Sequence, residues 1–166
     1  MIRTKFIPRN ERLENYQLIR EISEAIFGSD DDTNFAEFFV PLGGRVPKPQ
    51  SENFEKFLIN APTCLWAIYS GDCVVGFILI GDIPHPNSIG FSINSKYSNQ
   101  GIMKKAWKQI CDNPNITYPL NAYTSKRNEL AKKLLGSLEF NQMKNEIDFC
   151  GESSFHYKKE KNVQIK

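Results

Sequence analysis

The chain lacks the usual means of holding a metal, crossing a membrane or gripping a nucleic acid. Its four cysteines, Cys64, Cys73, Cys111 and Cys150, never fall in C-x-x-C spacing, and its two histidines, His85 and His156, lie far apart. That pattern argues against a zinc site and leaves packing as the expected role of the thiols. No apolar run approaches the ~20 residues of a membrane helix. The opening MIRTKFIPRNERLENY has no apolar core of a secretory leader. A cytoplasmic protein with reduced thiols, engaging no membrane, is the expectation. Charge of one sign is lacking too: 21 basic residues against 19 acidic leave a net charge of +2. Such a balance exerts no general pull on nucleic acid. Basic pairs do occur, at Lys104-Lys105, Lys126-Arg127, Lys132-Lys133 and Lys158-Lys159. Most runs of this kind are solvated faces.

With 166 residues, 40% of them hydrophobic and 24% charged, the chain suits one domain with one substantial core. Residues 2–7 alternate as a first strand ended by Pro8. Asn10 stands as N-cap to a helix from Glu11 to Phe27, with Leu13, Tyr16, Ile19, Ile22 and Ile26 at helical spacing and Gly28 after it. SDDDT (29–33) reads as a polar turn, FAEFFVPL as a short helix and RVPKPQS as an extended connector. Ser51 can cap a third helix, ENFEKFLIN. From there the pattern changes. TCLWAIY (63–69) and CVVGFILI (73–80) form a hairpin about Ser70-Gly71-Asp72. A third strand spans Asn87 to Asn94, a helix runs from Asn99 or Gln100 to Cys111, and YPLNAY (118–123) is a strand. A helix over Arg127 to Leu138 follows, then closing strands at 139–149 and 154–158. The tail from about residue 159 reads as frayed. No repeat and no internal boundary appears. A meander followed by alternating strand and helix implies a mixed α/β, or α+β, layered sheet in a single domain over 1–166.

Two stretches carry chemistry. SIGFSINSKYSNQGIMKKA (88–106) runs strand, loop, helix, with Gly101 where loop becomes helix. The first N–H groups of a helix have no intrahelical partners and lie at its positive end, so an anion suits them; a glycine lets that anion approach. NELAKKLLGSLEF (128–140) is a helix opened by Asn128 and followed by a strand.

Together these stretches resemble the two cofactor motifs of the GNAT superfamily of acetyl-CoA-dependent N-acetyltransferases. The likeness covers about Thr63 to Phe140, and GIMKKA is most similar to the ribosomal-protein alanine N-acetyltransferase branch. It implies a mostly antiparallel central sheet of six to seven strands flanked by helices and splayed between the fourth and fifth. It also implies acetyl-CoA as co-substrate, no metal, and an amine acceptor, a protein N-terminus or a small amine, in a monomer or homodimer. Backbone groups of Phe91, Ser92 and Ile93 then bind the pantetheine arm. Ser98 and the amides of Asn99, Gln100, Gly101, Ile102 and Met103 form the pyrophosphate loop, Lys104 and Lys132 supply charge, and Asn128 bonds the pantetheine or orders the loop.

The chain departs from the family at particular places. The pattern Q/R-x-x-G-x-G/A is here Ser98-Asn99-Gln100-Gly101-Ile102-Met103, and a Gly-Phe pair has become Glu139-Phe140. Leu135 and Ala131 stand where many members have a Tyr or Ser proton donor, and neither side chain can donate. A non-catalytic acyl-CoA-binding regulatory module is therefore the alternative to an enzyme. Two residues are candidates for proton transfer or acceptor contact. His85 is either a base or a loop histidine between Pro84 and Pro86, and Tyr97 either approaches the cofactor or the acceptor or packs. Asp30-Asp31-Asp32 reads as a solvated turn or as an acidic lure for a cationic amine. Phe35, Phe38 and Phe39 read as packing or as acceptor-pocket lining.

Overall fold

A computed structural model describes residues 1–27, 51–82, 85–149 and 152–161. The expectations for residues 28–50, the acidic cluster and the FAEFFVPL helix among them, lie outside the described residues. So do Pro84, Cys150 and residues 162–166.

Seven strands form one sheet in the order β1-β2-β3-β4-β5-β7-β6. They are β1 (Ile2–Ile7), β2 (Thr63–Ser70), β3 (Cys73–Gly81), β4 (Ser88–Ile93), β5 (Leu120–Ser125), β6 (Asn141–Phe149) and β7 (Glu152–Lys159). Every neighbouring pair is antiparallel except β4 with β5. Helices α1 (Tyr16–Phe27) and α2 (Ser51–Asn60) cover one face; α3 (Ile102–Ile110) and α4 (Glu129–Ser137) cover the other. This is the expected mixed, mostly antiparallel sheet with seven strands. Among the described residues no helix is long and apolar enough to cross a membrane.

The two helical layers explain why β2 and β3 read as unbroken apolar runs. Leu65, Ala67, Phe77 and Leu79 meet Ile19, Ile22, Ile26, Phe54 and Leu58 on one face. Trp66, Ile68, Ile78 and Ile80 meet Met103, Ala106, Trp107 and Ile110 on the other. A strand covered on both sides loses its alternation. Gly76 is required where β3 and β4 come closest, since a Cβ there would lie 2.2 Å from the Ser92 carbonyl oxygen.

The helix expected from Glu11 begins instead at Tyr16. Arg9–Glu11 form a short 3-10 turn capped by Pro8, not by Asn10. The cause is Arg12, which is fully buried. Its guanidinium donates to the carbonyls of Leu58 (2.7 Å) and Ala61 (3.0 Å), and to those of Thr63 and Ile7. Anchoring that side chain under the α2–β2 junction takes residues 9–15 off the α-helical path and leaves Leu13 exposed.

Candidate functional site

The site begins where β4 and β5 part. They run parallel and share one pairing among the described residues, Ser88 with Asn121. There the Asn121 N–H donates to the Asn87 carbonyl at 2.9 Å. Backbone groups alternate sides along a strand. Residues 87, 89, 91 and 93 therefore turn theirs toward β5, while Ser88, Gly90 and Ser92 turn theirs to β3. Beyond Ser88 the pairing stops, so the N–H and C=O of Phe91 and Ile93 face a gap. Ser92 differs from its neighbours. It pairs with Phe77 on β3, and its buried hydroxyl has no hydrogen-bond partner among the described residues.

The chain leaves β4 through a tightly bonded loop. The Lys96 N–H donates to Asn94 Oδ1 (2.9 Å), Ser98 Oγ to the Ser95 carbonyl (2.6 Å), and Gln100 Nε2 to the Lys96 carbonyl (3.2 Å). Asn99 (φ 61°) and Gly101 (φ 69°) are both left-handed. These turns delay α3 to Ile102, past the expected start at Asn99 or Gln100. The first intrahelical bond is from the Lys105 N–H to the Gly101 carbonyl, 3.1 Å. The amides from Gly101 to Lys104 thus precede the ladder, and no side chain caps them. A Cβ built on Gly101 meets nothing within 4 Å. The result is an open helix N-terminus with backbone donors, suited to a phosphate. Ile102 and Met103 bury their side chains in the core, so their amides are what they can offer. Lys104 is exposed and lines the groove between α3 and the end of α4.

Asn128 caps α4, its Oδ1 accepting from the Ala131 N–H at 3.0 Å. Its carbonyl oxygen is committed to the helix, which leaves the amide nitrogen as the group to offer a ligand. Lys132 pairs with Glu129, donates to the Lys126 carbonyl (2.9 Å) and sits 5.5 Å from the centre of the Phe155 ring. Leu135 is buried in the core, and Ala131 is half-buried.

Tyr97 ends the 3-10 turn Ser95–Tyr97 and packs on the core. His85 is half-buried before β4, its ring centroid 4.7 Å from that of Tyr123. Tyr123 in turn stacks on His156, its partner across β5 and β7, at 4.9 Å and 16°. His156 Nε2 lies 2.8 Å from Asn121 Oδ1. Burial, then the charges of His85 and Lys158, hold His156 below its ordinary pKa; burial pushes the Tyr123 phenol up. Sequence reasoning missed Asn121, Tyr123 and His156. They meet only because β7 inserts between β5 and β6, a nonlocal pairing that no local pattern announces.

The sequence matches the acetyltransferase (GNAT) family over residues 25–144. It matches no curated protein. Among solved structures, ribosomal-protein-S5-alanine acetyltransferase from Vibrio fischeri aligns with a TM-score of 0.59 and 15% identity, over 97% of this chain and 93% of that one. The putative acetyltransferase yncA from Salmonella typhimurium, solved with acetyl-CoA, aligns with a TM-score of 0.58 and 10% identity, over 99% and 96%. A further putative acetyltransferase gives a TM-score of 0.66 and 15% identity, over 96% and 85%. At these identities the likeness speaks for the fold.

Proposed function

We propose that this chain, which belongs to the GNAT acetyltransferase family, moves the acetyl group of acetyl-CoA to a primary amine by direct attack in a ternary complex. The observation that carries the reading is the conjunction of an open, glycine-started helix N-terminus with the β4–β5 gap. One end suits a pyrophosphate and the other a chain of amides.

In this reading the amides of Asn99 to Met103 hold the pyrophosphate, with Ser98 bracing the loop through Ser95. Phe91 and Ile93 supply backbone partners to the pantetheine, and Ser92 holds β4 to β3. Asn128 contributes its amide nitrogen. Lys104 supplies positive charge, and Lys132 does so by exchanging Glu129 for a phosphate. The co-substrate supplies an activated thioester; a backbone amide at the gap polarises its carbonyl, as an oxyanion hole does. The acceptor is a protein N-terminus or a small amine. Neither Leu135 nor Ala131 can protonate the departing thiolate, so water does so. A thiol of pKa about 8.5 is a tolerable leaving group near neutrality.

The missing donor favours a second reading, an acyl-CoA-binding module that acts on a partner without chemistry. Incubating the protein with acetyl-CoA, an alanine-initiated peptide and a panel of small primary amines separates the two. Acetylated product seen by mass spectrometry supports the enzyme. Tight acetyl-CoA binding with no product from any amine supports the module.

A further inference from the structure

Resting on the acetyltransferase reading, we infer that His156 is the base that takes the proton from the attacking amine, and that Asn121 is the positioning residue that sets its tautomer. Asn121 fixes the tautomer through two hydrogen bonds. Its Nδ2 donates to the Pro86 carbonyl at 3.0 Å, which settles which end of the amide is nitrogen. Its Oδ1 therefore faces His156 Nε2 at 2.8 Å. An amide oxygen can only accept, so Nε2 carries the proton and Nδ1 keeps the lone pair. A neutral histidine so arranged is a ready base.

Position supports the role. Leu120 and Ala122 of β5 enter the core under α3 and α4. Asn121 and Tyr123 therefore lie on the opposite face of the sheet. Asn121 makes the last β4–β5 pairing, so Tyr123 is the next residue on that face and borders the gap. His156 lies directly across from Tyr123 and stacks on it, which fixes the plane of the imidazole. His85, Asn121, Tyr123 and His156 are all half-exposed, so the patch is open to a ligand. Leu135, buried in the core beneath α4, cannot serve as a base.

The step balances. The amine lone pair forms a C–N bond to the thioester carbonyl carbon, and the C–S bond breaks with its electrons on sulfur. The proton lost by nitrogen passes to His156 Nδ1 and then to solvent. The thiolate takes a proton from water.

The test uses the full chain, acetyl-CoA and whichever amine of the panel the wild type acetylates fastest. His156→Gln can keep a hydrogen bond to Asn121 but cannot accept the proton. It is expected to lower kcat by about 10²-fold or more while leaving acetyl-CoA affinity unchanged, which also shows that it is folded. Asn121→Asp places a carboxylate on Nε2 and should move the acid limb of the pH profile of kcat/KM to higher pH. The other groups that bear on that limb are Tyr123 stacked on the ring, His85 against Tyr123, Lys158 on β7, and Lys144 in the irregular stretch of β6. A His156→Gln enzyme with wild-type kcat, or an acid limb that Asn121→Asp leaves in place, overturns the assignment and spares the acetyltransferase reading. A wild type that binds acetyl-CoA and acetylates nothing overturns both.

Discussion

Asn121 pairs with Ser88, the one β4–β5 pairing among the described residues, and it ties that point in three directions. Its backbone N–H reaches the Asn87 carbonyl, its Nδ2 the Pro86 carbonyl, and its Oδ1 the ring of His156 on β7. Loop, sheet centre and neighbouring strand are therefore held at the apex of the gap, while its mouth is left unpaired.

Asn128 serves two roles that substitution can separate. Asn128→Ala removes the cap on α4 and should cost about 1 kcal/mol in urea unfolding. Asn128→Asp keeps an acceptor for the Ala131 amide, and its charge is favourable at a helix N-terminus. It should be as stable as wild type and yet bind acetyl-CoA more weakly, having lost the amide donor and gained a negative charge. Unchanged affinity in the Asp variant would make Asn128 a cap alone.

Arg12→Met should be among the most damaging single changes. It removes the guanidinium donors from the buried carbonyls of Leu58, Ala61 and Thr63, of which Ala61 keeps the Thr63 N–H, a loss of about 3 kcal/mol or more. Chemical denaturation reads this directly. A loss under about 1 kcal/mol, the worth of an ordinary hydrogen bond, would mean that water replaces the guanidinium.

The pH dependence of stability has a sign set by His156. Its folded pKa lies below the ordinary value of 6.5 because burial opposes its charge. Between the two values the unfolded chain binds the extra proton, so stability rises with pH there. The stability is present above about 6.5 and is lost as pH falls through that window. His156→Gln should flatten the slope between pH about 6.5 and the folded pKa. An unchanged slope would place the titration elsewhere.

Much of the fold was legible because short apolar runs bounded by turns fall on real strands; the bounds of β2 and β3 moved by a single residue. The loop ending at Gly101 was legible for the same local reason. What was hidden depended on distant contacts. Leu13 continues the helical spacing of α1, yet the carbonyls that hold Arg12 lie some fifty residues away. The His156 site depends on strand order. Glu139 shows a middle case. It is left-handed, with φ 63°, which explains why the family prefers glycine before its phenylalanine. The glutamate that stands there instead meets Lys159 Nζ at 3.2 Å, a lysine only 5% exposed. Neither half of that pair signals the other in the sequence.

The central claim is that the helix end at Gly101 holds a pyrophosphate. Calorimetric titration with acetyl-CoA tests it most directly, for wild type, Gly101→Asn and Gly101→Glu. Asparagine tolerates the left-handed backbone and adds a neutral side chain in open space, whereas glutamate adds a charge that repels the phosphates. The account predicts tight binding by wild type, measurable binding by the Asn variant and none by the Glu variant, with all three folded. A folded wild type that binds no acetyl-CoA, or a Glu variant that binds as wild type does, would contradict it.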